Sequence, residues 1–206
     1  MSEARETVMK AVRQALSDLE EKVPLPDYDS GILISAKHRE DELGAWQEFS
    51  ENFAAVSGRP MTGVDELETF LKSEGNGVGY CDPSLKEKVG DVLEKSGLKV
   101  SYDFEREKVD DYTFGITRAS GVIAESGTVV LNDEDTVDRL AALAPWVHVA
   151  VIETEPMFET IPEAIENLGE SSNVIWVTGP SKTADIEGIL IEGVHGPGVQ
   201  ICLKLD

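Results

Sequence analysis

Cysteine is almost absent from this chain: two residues, Cys81 and Cys202, stand far apart in a sequence of 206. Two thiols cannot supply the four thiolates of a typical iron–sulfur cluster, nor a disulfide framework. Histidine is equally scarce. His38, His148 and His195 have no helical or finger-like spacing, which excludes the common zinc patterns. No stretch reaches the roughly 18 consecutive apolar residues needed to span a bilayer. The first twenty residues carry charge on every turn, unlike the apolar core of a secretory signal, so a cytoplasmic protein with no membrane span is expected. Basic residues are also few, 18 against 40 acidic, and the net charge of -22 repels phosphodiester backbones, so nucleic acid is not an expected partner. The same charge fits solubility, salt adaptation or docking on a basic protein.

What is present is the periodicity of a layered α/β protein. Val8, Val12, Ala15, Leu16, Leu19 and Val23 recur at helical spacing and predict an amphipathic helix ending near Pro24 and Pro26. The run from Val23 to Gly31 reads as an extended connector. That places a boundary near residue 30, with residues 1–30 a helical extension and 31–206 the main domain. A second helix is predicted over Asp41 to Ser57 from the spacing of Leu43, Trp46, Phe49 and Phe53. Beyond it, short apolar runs alternate with helical segments, the signature of a layered α/β domain with a largely parallel sheet. Strands are expected at Val78–Cys81, Leu98–Tyr102, Val147–Ile152, Val174–Val177 and Val199–Leu205, the last two completing the sheet. Asp82 and Pro83 should open a helix through Leu85, Val89, Val92 and Leu93 that Gly97 ends. Phe158, Ile161, Ile165 and Leu168 mark another helix.

Three segments carry candidate chemistry. In the stretch from Phe114 to Leu131, strand-like runs flank Ser126-Gly127, where Ser126, Gly127 and Thr128 offer N–H groups and hydroxyls suited to a small anion. A hairpin turn needs the same residues. Glu125, beside that turn at the end of an apolar run, is the candidate catalytic carboxylate, or else a surface glutamate. The second segment, Thr178 to Glu187, reads as strand, loop and short helix carrying Ile186, Ile189 and Leu190. Gly179, Ser181, Lys182 and Thr183 then lie at a helix start that favours a carboxylate or phosphate, although Ser181 or Thr183 could simply cap the helix. The third, Gly193 to Gly198, puts His195 in a loop before the last strand, where it could adjust protonation near neutral pH. His148, inside an apolar run, reads as a satisfied core histidine.

Three ordered stretches, GITRASGVIAESGTVVL at 115–131, PWVHVAVIE at 145–153 and GPSKTADIEGILIEGVHGPGVQICLKLD at 179–206, closely resemble the LUD-domain family. The resemblance implies a three-layer α/β/α fold similar to glucosamine-phosphate isomerase, ribose-phosphate isomerase and CoA transferases. It also implies a part in a three-component system oxidising L-lactate to pyruvate, whose short, cofactor-free member this chain matches and whose partners are iron–sulfur proteins. In related CoA transferases a glutamate beside a glycine accepts the acyl group, and Glu125 before Ser126-Gly127 invites that comparison. Two classes of function stand: an accessory subunit of a lactate-oxidising complex, and a stand-alone isomerase or acyl-transferring enzyme using Glu125.

Overall fold

The computed structural model describes residues 3–17, 44–75, 77–167, 169, 171, 173–184 and 189–205. The expected connector from Val23 to Gly31, with Leu19, Leu43, Leu168 and Ile186, lies outside them. The chain forms two compact units, Met1–Ile34 and Ser35–Asp206. In the first, α1 runs over Glu3–Ser17, with Val8, Val12 and Leu16 along one face as the helical spacing requires.

In the second unit, α2 (Ala45–Ala55) buries Phe49 and Phe53, and β1 (Arg59–Met61) leads into α3 (Val64–Glu74), which buries Leu67 and Leu71. After β2 (Val78–Cys81), the Asp82 carboxylate accepts the Ser84 N–H, as its capping position predicts. The segment that follows is not one α-helix. It passes from a 3₁₀ turn at Pro83–Leu85 through a π-turn at Lys86–Gly90 into α4 (Asp91–Lys95). The wider turn still lets Leu85, Val89 and Leu93 share one buried face.

The remaining strands and α-helices are β3 (Lys99–Ser101), β4 (Tyr112–Arg118), β5 (Gly121–Ile123), β6 (Thr128–Asn132), α5 (Arg139–Leu143), β7 (Val147–Ile152), β8 (Met157–Phe158), α6 (Ile161–Asn167), β9 (Val174–Val177), β10 (Lys182–Ala184), β11 (Leu190–Glu192) and β12 (Val199–Lys204), with a 3₁₀ segment at Arg106–Asp111. Six of these strands form one sheet in the order β1-β12-β7-β4-β2-β3, parallel throughout. Alternation along β7 and β12 sends Val147, Val149, Val151, Ile201 and Leu203 to the face covered by α3 and α4. Ala150, Ile152 and Cys202 point to the other face, against Phe49, Phe53, Ala142 and a second sheet. The domain is thus a three-layer α/β fold. Both faces of the central strands are covered, which is why β7 reads as an unbroken apolar run interrupted only by His148.

The second sheet, β8-β5-β6-β9, corrects two expectations. Val174–Val177 does not complete the central sheet but pairs antiparallel with β6. Phe158 belongs not to a helix but to β8, pairing with Ile123. Its ring packs with Ile123, Val130 and Ala164 on the outer face of that sheet, under α6.

Candidate functional site

The turn between β5 and β6 is built around Gly127, whose φ of 59° is left-handed. A side chain could not fit there: a Cβ would lie 2.3 Å from the Phe53 nitrogen and 2.5 Å from the Asn52 carbonyl carbon. The backbone of α2 therefore packs directly on the turn. Asn52 Nδ2 secures it by donating to the Ala124 carbonyl at 2.8 Å and the Glu125 carbonyl at 3.2 Å. Asn52 had no local signal in the sequence, because its partners are more than seventy residues away.

Glu125 is half-buried, and its Oε1 accepts the N–H of Ile161, the first residue of α6, at 2.6 Å. The carboxylate satisfies a donor that a helix start leaves unpaired. Ser126 and Thr128 share a hydrogen bond at 2.8 Å, and Thr128 Oγ1 continues to Thr178 Oγ1 at 2.8 Å. This hydroxyl chain joins the two segments that the sequence singled out.

The second segment is corrected in form. No helix follows Thr178 among the described residues; β10 and β11 instead make an antiparallel ribbon, with Lys182 opposite Glu192 and Thr183 opposite Ile191. Among the described residues Ser181 and Thr183 therefore cap no helix, and no helix start gathers N–H groups beside them. Ser181 instead donates its N–H to Pro197 O and accepts from Gly193 N, both at 2.9 Å, tying the ribbon to the loop that carries exposed His195. Gly179, with φ 79°, leaves no room for a Cβ, which would lie 2.3 Å from Val56 O. Lys182 Nζ reaches the same carbonyl at 3.1 Å and Ser57 Oγ at 3.0 Å, a cation at the C-terminal end of α2, and pairs with Glu192 at 3.4 Å. Gly127 and Gly179 are thus brought to one helix, and its backbone occupies their free faces.

A second polar group lies within the core. Thr117 Oγ1 meets His148 Nε2 at 2.9 Å, and His148 Nδ1 meets the Gln200 amide at 2.8–3.0 Å, all three side chains being buried. His148 is the satisfied core histidine expected of it. Burial pushes its pKa down to about 4, with the Gln200 hydrogen bond opposing. Over the carboxyl ends of β4 and β7, Arg118 pairs with Glu155 at 2.6 Å and Lys88 with Glu153. Asp82 is buried there, with Oδ1 held by Ser84 and Oδ2 without a partner among the described residues.

Both cysteines are buried, Cys81 with its thiol pushed up to about 12, mainly by desolvation, and Cys202 raised for the same reason. Neither is suited to act as a thiolate. No cluster of three or more histidine, cysteine or carboxylate side chains able to hold a metal occurs among the described residues.

Comparison with known proteins places these elements in context. Residues 62–203 match the LUD domain. A lactate utilization protein C from Halalkalibacterium halodurans is 36% identical, the alignment covering 96% of this chain and 95% of that protein. A lactate utilization protein C from Oceanobacillus iheyensis is 37% identical over 99 residues, 44% of this chain and about two fifths of that protein's length. The crystal structure of a DUF162 family protein from Deinococcus radiodurans superimposes with a TM-score of 0.53 over 79% of this chain and 96% of that one, at 17% identity, a likeness of fold.

Proposed function

Given that the chain belongs to the LUD-domain family, we propose that it is a component of an L-lactate utilization system, working with iron–sulfur partner proteins and carrying no redox cofactor of its own. One observation carries this reading: 36% identity to a lactate utilization protein C across nearly the whole of both chains. The donor set supports it, since two separate, buried thiols offer no cluster ligands and electrons would pass through partners. The engagement of Glu125 by the Ile161 N–H favours a holding role for that carboxylate over acyl transfer. In this reading the two glycine turns and Lys182 brace α2, and Ser126 and Thr128 join the first turn to Thr178.

The test is made in the native host. Affinity capture of the full chain is expected to bring down iron–sulfur proteins, and deleting its gene to impair growth on L-lactate until the chain is restored. Unimpaired growth of the deletion strain, or lactate oxidation by the purified chain alone with an artificial acceptor, overturns the proposal.

A further inference from the structure

In a chain with more than two carboxylates for every cation, an arginine without one stands out. Of the four arginines between residues 44 and 205, Arg106 pairs with Asp138, Arg118 with Glu155 and Arg139 with Asp133. Arg59 makes no such pair among the described residues. Its guanidinium lies instead over the Phe70 ring, 4.7 Å from the centroid, which restrains the plane of the fork without using its N–H donors. Arg59 opens the edge strand β1, and Phe70 comes from α3, the next helix. Both side chains line an open groove of about 660 Å³ between the strand and the helix. Glu66 lines this groove too but makes no ion pair with Arg59, so among the described residues the guanidinium keeps its donors for a ligand.

The other polar groups of the groove complete a pattern. Thr69 and Ser73 both line it, yet Thr69 donates its hydroxyl proton to Asp65 O at 2.9 Å and Ser73 to Phe70 O at 2.7 Å. With their protons committed to the helix backbone, these hydroxyls offer lone pairs and act as acceptors. The groove therefore combines a fixed, planar, cationic donor, two acceptors on one face of α3, and apolar surface from Met61 and Phe70. A ligand complementary to it has a carboxylate for the fork, a hydroxyl proton beside that carboxylate, and a short apolar remainder.

We propose that the groove between β1 and α3 binds a small 2-hydroxycarboxylate, its carboxylate on Arg59 and its hydroxyl donating to Thr69 or Ser73. The ligand's class comes from the groove; its identity as L-lactate rests on the lactate utilization reading. A 2-keto acid or an unsubstituted acid of the same size has no proton to give these acceptors and binds more weakly. The site is separate from the glycine turns at Gly127 and Gly179.

The experiment is a titration of the isotopically labelled full chain with L-lactate, propionate and pyruvate, followed by amide chemical shifts. Lactate is expected to shift amides of β1 and α3 saturably and to bind roughly five-fold more tightly than propionate or pyruvate, as one extra hydrogen bond allows. Arg59→Gln should weaken lactate about ten-fold or more, with Arg59→Lys between the two. The pair Thr69→Val and Ser73→Ala should bring lactate down to the propionate level. Shifts that do not saturate, saturable shifts elsewhere in the wild-type chain, equal binding of propionate, or an unaffected Arg59→Gln each overturn the proposal. Its fate is distinct from that of the function proposed above: capture of iron–sulfur partners with no lactate shifts removes this site alone, and lactate shifts without partners or a growth defect remove the accessory role alone.

Discussion

Two apolar runs of this protein meet opposite fates. Val147–Ile152 in β7 is buried at every position, between α3 and α4 on one side and α2 and the second sheet on the other. Ile189, Leu190 and Ile191 are as apolar in sequence, yet each is exposed, and β11 has no buried residue. The difference lies in neighbours. A central strand of a parallel sheet is enclosed by two strands and two layers, whereas a two-stranded ribbon encloses little and is marginal alone. Apolar composition thus marks a capacity for burial, and position in the sheet decides whether it is used.

Three substitutions or conditions sharpen that contrast. The largest effect is expected in the central sheet: Ile201→Ala removes a fully buried side chain from β12 and should cost roughly 4 kcal/mol, read as a lowered denaturant midpoint with an unchanged slope. A loss below about 1 kcal/mol would show that the layers relax into the cavity and that burial in β12 contributes little more than exposure in the ribbon.

The second concerns the one titratable side chain in β7. Unfolded, His148 takes up a proton as the pH falls through its ordinary value of 6.5, while the folded protein holds it neutral down to about 4. Between those values the unfolded state binds more protons, so stability falls as the pH is lowered, by roughly 3 kcal/mol in all for this group. Urea unfolding of the wild type and of His148→Gln across that window should show the wild type losing more stability. Parallel curves would mean that His148 titrates over the same pH range in the folded and unfolded protein.

The smallest effect belongs to the ribbon. Leu190→Ala should change stability by less than about 0.5 kcal/mol, because the side chain is largely in water already. A loss approaching that of Ile201→Ala would place Leu190 in a buried interface and erase the contrast.

How far the candidate site was legible follows the same division. Ser126-Gly127 read as a turn between two strands because a Ser-Gly pair between β-branched runs is a local signal, and the structure places β5 and β6 there. Thr178 to Leu190 misled, since a loop with hydroxyl residues followed by spaced apolar ones fits a capped helix and a hairpin alike, and only pairing of Lys182 with Glu192 decides between them. That Gly127 and Gly179 abut the same helix was not legible, because their contacts at Phe53 and Val56 come from an element some seventy or more residues earlier.

The sequence by itself determined what depends on near neighbours: the acidic charge, the scarcity of thiols, the amphipathic periods of α1 and α2, the apolar runs of β7 and β12, and the three stretches that resemble the LUD-domain family. Tertiary structure alone decided what depends on pairing across the chain. It assigned β9 to the second sheet, left Arg59 without a carboxylate partner among the described residues, and assembled Thr117, His148 and Gln200 from three adjacent strands. Periodicity is written within a few residues, whereas strand partners are chosen by the joint burial of many segments, a property no single segment contains.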